Sequence, residues 1–317
     1  MISFTALGYK QPLIHIGYPK ALSSWLQSNL FVSELGYWPA MGPLAVQRKI
    51  VDPAPFCYRS GLVADSLSGV LPDNHELVPV ITSETLSGNM RHGGYNAHEL
   101  AGRLESTFPE ARILCVVREQ KQLIRSLYSE VVKWGMPHSI KHFLQPNRYQ
   151  IAPQFRVEHL QFHNLVEHYQ QRFGGENLLV LPYELFLHSP QEFLHRLAGF
   201  SGLSDQYKGA IESIDREAKV NKAFSLSNIQ IQRWINYWLV SNPYNYSGLI
   251  REKEGDVWAR DLAMISRQRW LPGFLDHYLE DIFRATVDEQ VSGKFKFSNQ
   301  RLQELTGVDL TPYGYEL

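Results

Sequence analysis

What the chain lacks narrows its function first. Neither sign of charge predominates: 31 Lys+Arg face 32 Asp+Glu, a formal charge of −1. A duplex-DNA or RNA binder shows a strongly basic face, and there is no excess here to supply one, so no nucleic-acid partner is expected. Cysteine is scarce, with Cys57 and Cys115 alone in 317 residues, so there is no disulfide framework. Cys115 lies inside the run Ile113-Leu114-Cys115-Val116-Val117, where a free thiol serves as a small buried hydrophobe. A reducing, cytoplasmic setting is expected. No stretch approaches the ~18 apolar residues of a transmembrane helix, and the N-terminus lacks the charged-then-apolar layout of a signal peptide. Internal repeats and low-complexity tracts are also missing. An acidic, disordered chain is excluded, because 44% of the residues are hydrophobic and only 20% are charged.

What is present has a clear rhythm. Four short apolar runs, Leu13–Ile16, Leu77–Ile81, Ile113–Val117 and Leu178–Leu181, have the pattern of strands buried on both faces of a parallel sheet. Helical spacings lie between them. Leu22, Trp25, Leu26 and Leu30 follow the first run at i, i+3, i+4, i+8, and Ile124, Tyr128 and Val132 follow the third at every fourth residue. A helix through Leu160, Leu165, Val166 and Tyr169 ends at Gly174-Gly175, and Gln191–Phe200 forms another. The alternation predicts an α/β fold: a central parallel sheet flanked by helices on both faces, with a helical C-terminal half. Segments 39–61, 88–98 and 135–156 read as loops, and none is a convincing linker, so 1–317 is expected to be one domain.

In such folds ligands bind at the carboxyl ends of the strands. After the first strand comes Gly17-Tyr18-Pro19-Lys20-Ala21-Leu22-Ser23-Ser24-Trp25. A turn, a lysine, two hydroxyls and a helix start make a P-loop-like phosphate cradle: backbone N–H groups point outward and the dipole favours an anion. The bland reading is a strand–helix turn in which Ser23 or Ser24 caps the helix. It is not a Walker A loop, which needs G-x-x-x-x-G-K-[ST]; here one glycine precedes the lysine by three residues. A kinase would also want an acidic Mg²⁺ ligand at a neighbouring strand end, whereas the third strand ends in Arg118. Arginine can fork two donors onto a phosphate, and Ser126 falls about two helical turns further on. A salt bridge of Arg118 with Glu119 or Glu184 is the alternative. The other strand ends carry Thr82-Ser83-Glu84 and Pro182-Tyr183-Glu184.

Together these clusters resemble the sulfotransferase family, which uses 3′-phosphoadenosine 5′-phosphosulfate (PAPS) and releases 3′,5′-ADP. Tyr18-Pro19-Lys20-Ala21-Leu22-Ser23-Ser24-Trp25 resembles the family's 5′-phosphosulfate loop, approximately Y-P-K-S-G-T-T-W, with Ser for Thr and with Leu22 where glycine is common. Arg118 and Ser126 have the spacing of its 3′-phosphate pair, and Tyr183-Glu184 resembles the Y-E of a segment whose tyrosine is associated with the adenine. The resemblance implies a nucleotide-binding core over about 10–32, 76–134 and 158–203, and a helical acceptor-side and C-terminal region over about 204–317. It also implies Lys20 and Glu84 as catalytic residues, Glu84 taking the acceptor's proton as in the family's carbohydrate branch, with His92 and His98 as runners-up. A glycan or small-molecule acceptor and no metal are expected. Lys219-Val220-Asn221-Lys222 is a weak match to a late nucleotide-contacting loop, and Asn242-Pro243-Tyr244-Asn245-Tyr246 is a candidate acceptor lining. The alternatives are an ATP-dependent kinase and a non-catalytic scaffold that binds nucleotide or glycan. The pairs His138/His142 and His159/His163 have i, i+4 spacing but no third ligand, and solvated or substrate-loop roles are expected for them.

Overall fold

In the computed structural model of the chain, residues 1–145, 154–212, 225–238, 240–241, 250–251 and 273–317 are described. Strands β1 (Leu13–His15), β2 (Tyr37–Met41), β3 (Val78–Thr82), β4 (Arg112–Val117) and β5 (Leu178–Pro182) form one sheet in the order β2-β3-β1-β4-β5. Every neighbouring pair is parallel. The apolar runs explain this: all residues of β1 and β3 are buried, and so are Ile113 to Val117 of β4. Strands with no polar face need cover on both sides.

Helices fill the connections: α1 (Ser23–Trp25), α2 (Pro43–Val46), α3 (Ser60–Ser68), α4 (Ala97–Thr107), α5 (Gln120–Lys133), α6 (Ile140–Leu144), α7 (Phe162–Phe173), α8 (Tyr183–His188), α9 (Pro190–Ser201), α10 (Asp205–Glu212), α11 (Leu226–Trp238), α12 (Gly273–Val291) and α13 (Lys296–Thr306). From β1 the chain moves outward to β2, then returns through β3 and crosses β1 to reach β4 and β5. Right-handed crossovers in opposite directions put their connections on opposite faces. The strand order changes direction beside β1, and in folds of this kind ligands bind at such a point, at the strands' carboxyl ends.

The four strands expected from apolar runs are present within one residue at each end. The fifth, β2, is absent from that expectation for a physical reason. Only Tyr37 and Met41 at its ends are buried, and Pro39 interrupts it, which an edge strand tolerates because one row of its N–H groups needs no partner. The helix after β1 also departs from a plain α-helix. Ser23–Trp25 passes directly into a π-helical segment, Leu26–Leu30, closed by Phe31 N–H donating to Leu26 O at 2.8 Å. Leu22, Trp25, Leu26 and Leu30 are all buried, as their spacing predicts.

Packing divides the chain into two compact units. The first comprises 1–120, 158–220 and 294–317 and contains the five-stranded sheet. The second comprises 121–157 and 221–293. Within it Asn236 Nδ2 donates to Val132 O at 2.7 Å and Met136 O at 3.1 Å, and Arg125 pairs with Glu280 at 2.9 Å. The segments 219–222 and 242–246, singled out above, lie outside the described residues. No helix among the described residues is long and apolar enough to cross a membrane.

Candidate active site

The sheet register brings the informative strand ends together. His15 of β1 lies opposite Thr82 of β3 on one side and Leu114 of β4 on the other. The ladder between β1 and β4 continues past His15. Ile16 N–H donates to Leu114 O at 2.9 Å, and Tyr18 N–H donates to Val116 O at 3.1 Å. The loop after β1 is therefore stitched to β4 until Tyr18, and turns away only beside Val117 and Arg118.

That turn is made by backbone of an unusual kind. Lys20 has φ 64° and Leu22 φ 71°, the only non-glycine residues with positive φ among the described residues. A left-handed conformation costs a β-carbon-bearing residue roughly 1–3 kcal/mol. At Leu22, where the resembling loop commonly has glycine, the backbone takes a glycine-like conformation and the leucine side chain is buried. Tyr18 anchors the other end. Its ring is fully buried 4.7 Å from Phe162, and its hydroxyl donates to His159 O at 3.2 Å. Trp25 is buried against Phe186, with ring centroids 4.6 Å apart. Tyr18, Ala21, Leu22 and Trp25 thus turn their side chains into the core, leaving backbone to line the cradle. Pro19 is half-buried, whereas Lys20 and Ser24 are exposed. Ser23 is buried, and its Oγ has no partner among the described residues. An unsatisfied buried hydroxyl costs about 1–3 kcal/mol, and this one stands at the first turn of a helix whose N–H groups have no intrahelical acceptor.

Gly17 is required by close approach. A β-carbon there would stand 2.6 Å from His15 Nε2 and 3.2 Å from the Val116 backbone nitrogen. Any side chain would push the start of the cradle off β4.

Arg118 closes the other side. Its Nη1 donates to Lys20 O at 3.0 Å, and its guanidinium lies over the Tyr183 ring, 4.8 Å from the centroid. Its Nε is buried without a partner among the described residues. Tyr183 begins α8, directly after β5, so arginine and tyrosine come from adjacent strand ends. The ion-pair alternative for Arg118 takes a different form. Glu184 Oε1 accepts from the Glu119 backbone N–H at 3.0 Å and Oε2 accepts from Tyr315 at 3.1 Å. Burial raises the Glu184 pKa, and those bonds and the Arg118 charge pull it part of the way back. Glu184 is the peg that holds the shelf under Arg118. Ser126, on α5, belongs to the second unit and is half-buried.

Glu84 follows β3. Ser83 caps the short 3₁₀ helix Glu84–Ser87 by accepting from Thr85 N–H at 3.3 Å, and Glu84 is half-buried at its start. The loop beyond it turns on Gly88, Gly93 and Gly94, all at positive φ. His98 lies on α4 with its ring 4.5 Å from that of His168 on α7. His92 ends a separate 3₁₀ turn.

The histidine pairs have structural surroundings. His138 and His142 have their rings 4.2 Å apart, and His163 Nδ1 is 2.8 Å from Ser298 Oγ. No cluster of three or more metal-ligating side chains occurs among the described residues. Cys57 is exposed and Cys115 buried, and both are free. Burial pushes the Cys115 thiol up to about 12, as suits a core residue.

Sequence reasoning missed His15. A histidine in an otherwise apolar strand was the available signal, since a buried imidazole must find partners. It also missed Arg103, a buried arginine that donates to the carbonyls of Ile50, Val51 and Pro53 and so ties down the 50–53 segment.

Residues 95–207 match the model of the sulfotransferase family. None of the curated proteins compared matches the chain. Among solved structures, a sulfotransferase from Alicyclobacillus acidocaldarius is 16% identical, covering 71% of this chain and 93% of its own, with a TM-score of 0.49. Mouse sulfotransferase SULT7A1, solved in complex with PAP, is 13% identical over 94% of this chain and 88% of its own, with a TM-score of 0.39. The sulfotransferase domain from the curacin biosynthetic pathway is 12% identical over 89% and 98%, with a TM-score of 0.35. The family match contains Arg118, Ser126 and Tyr183 and leaves the cradle and Glu84 outside, so over residues 95–207 the chain is similar to the sulfotransferase family.

Proposed function

We propose that the protein transfers the sulfuryl group of PAPS to a hydroxyl or amine of a carbohydrate or other small-molecule acceptor, leaving 3′,5′-ADP. The observation that supports this reading is the bond from Arg118 to the Lys20 carbonyl, which ties together two cation-bearing strand ends. The donor set suits a nucleotide with phosphates at both ends. Ser23 Oγ and Arg118 Nε are hydrogen donors that are buried and lack protein acceptors among the described residues. PAPS supplies an electrophilic sulfur and a phosphate leaving group. Lys20, Ser23, Ser24 and the N–H groups of the first helical turn stabilise charge that develops on the leaving oxygen. A single well-placed donor of that kind is worth ~2.7–4 kcal/mol in the transition state. Arg118 holds the 3′-phosphate, and the Tyr183 ring offers a face beside it. Glu84 takes the acceptor proton while the acceptor oxygen or nitrogen bonds to sulfur and the sulfur–oxygen bond to the 5′-phosphate breaks. These residues need no metal, because side chains and backbone N–H groups carry the charge.

Lys20→Ala and Arg118→Ala should each lower 3′,5′-ADP affinity or turnover by at least about tenfold, read by calorimetry and by labelled-sulfate transfer. If both variants bind 3′,5′-ADP like the parent chain, the reading fails. Thermal stabilisation by ATP–Mg²⁺ in place of 3′,5′-ADP would mark a kinase. Unchanged function of Glu84→Gln would mark a scaffold.

A further inference from the structure

His15 is the residue most at odds with its surroundings. It ends β1, a strand with every residue buried, and is itself 0% exposed. Burial depresses its pKa to about 3, so the ring is neutral. A leucine there would bury more cheaply, because burying polar groups without full partners costs free energy.

Its bonds show what the imidazole is for. His15 Nδ1 stands 2.9 Å from Thr82 Oγ1, and Gln27 Nε2 donates to the same oxygen at 3.1 Å. Proton counting assigns the roles. If Thr82 donates its hydroxyl hydrogen to His15 Nδ1, one group of the trio is left over, the hydrogen on Nε2. If instead Nδ1–H donates to Thr82, both the Thr82 hydroxyl hydrogen and the Nε2 lone pair are left over. Each unsatisfied buried group carries a penalty, so the first arrangement wins. Nε2 therefore carries the hydrogen. It is buried without a partner among the described residues, facing the space that a β-carbon on Gly17 would enter.

The trio joins three segments. His15 precedes Gly17, where the chain enters the cradle. Gln27 lies on the helix that leaves it, four residues beyond Ser23. Thr82 ends the strand that carries Glu84, two residues further on. We propose that His15, acting through Thr82 and Gln27, is a positioning residue for the transfer step: a neutral latch that holds the Glu84 strand end in register with the phosphate cradle. This rests on the reading of Lys20 and Glu84 given above. The step has a geometric demand that such a latch meets, since a misplacement of about 1 Å can cost roughly a hundredfold in rate.

The test uses the full chain. Nucleotide binding is read by titration with 3′,5′-ADP, and turnover by release or transfer of the labelled sulfuryl group of PAPS, with water always present as an acceptor. His15→Leu and Thr82→Val each remove the latch. Both should lower turnover by at least about tenfold while leaving the 3′,5′-ADP Kd within about threefold. His15→Asn puts an amide where Nδ1 stood and should restore turnover to within about threefold. Imidazole nitrogen NMR of the parent chain should report hydrogen on Nε2. Turnover within about threefold of the parent in a folded His15→Leu or Thr82→Val chain overturns the proposal, as does a ring carrying its hydrogen on Nδ1. An equal loss of nucleotide affinity overturns it too, since the trio would then serve the cradle alone. A parent chain that binds no 3′,5′-ADP overturns the donor reading instead, and the positioning role with it.

Discussion

Two strand ends of one sheet build the candidate site in opposite ways. After β1, the cradle is backbone: its large side chains, Tyr18, Leu22 and Trp25, are buried, and Lys20 and Leu22 are held at positive φ. After β4, the shelf is side chain: Arg118 lies over Tyr183, and Glu184 and Tyr315 hold that layer from below. The first depends on what the chain can avoid, such as a β-carbon at residue 17. The second depends on what the chain supplies. Substitutions at the buried and glycine positions of the cradle should therefore act on stability as well as affinity, and substitutions in the shelf on affinity alone.

The sharpest way to break that contrast is Gly17→Ala. Its β-carbon meets His15 Nε2 and the Val116 backbone, so a loss of about 3 kcal/mol in urea unfolding is expected, together with loss of 3′,5′-ADP binding. A smaller effect comes from pH. His15 has a folded pKa of about 3, below the ordinary 6.5, so its contribution is complete above 6.5 and is lost on acidification towards 3. Between pH 7.5 and 5 this one group should remove about 2 kcal/mol, and the His15→Leu chain should lack that part of the slope in unfolding midpoints. The shelf is tested by Tyr183→Leu. Losing the ring under Arg118 should cost roughly 0.5–2 kcal/mol of 3′,5′-ADP affinity by calorimetry, with little change in unfolding. The smallest change is expected from Leu22→Gly. Removal of a buried leucine costs about 1.5–3 kcal/mol, and relief of its left-handed backbone returns about 1–2 kcal/mol. The net should stay near 1 kcal/mol, well below that of Leu30→Ala, a buried leucine with no such strain to release.

The same contrast explains what could be read from sequence. Strands such as Ile113–Val117 were legible because burial on both faces leaves an unbroken apolar run. The edge strand Tyr37–Met41 was not, since only its ends are buried and a proline interrupts it. Tyr18, Lys20, Ser23 and Arg118 were legible as chemistry at strand ends. Which of them are buried was not, because a motif records residue type and spacing but not which way a side chain turns. His15 was hidden for the opposite reason. Its meaning lies in Thr82 and Gln27, which are distant in sequence and meet it only through the β1–β3 register. The division of the chain into two units also follows contacts between distant segments, 121–157 with 221–293, that no local pattern records.

The bond from Arg118 to the Lys20 carbonyl carries a consequence for how the site stores information. The cation assigned to one end of a two-phosphate ligand is also a structural tether for the residue assigned to the other end. The two positions are then a single thermodynamic element, and their replacements are not additive. Double replacement of Lys20 and Arg118 would cost less than the sum of the single costs, because loss of Arg118 already slackens the Lys20 backbone, whereas replacing Lys20 leaves its carbonyl and the bond in place. If the proposed donor binds there, charge is counted in coupled pairs and not in the chain's totals of 31 cations and 32 anions.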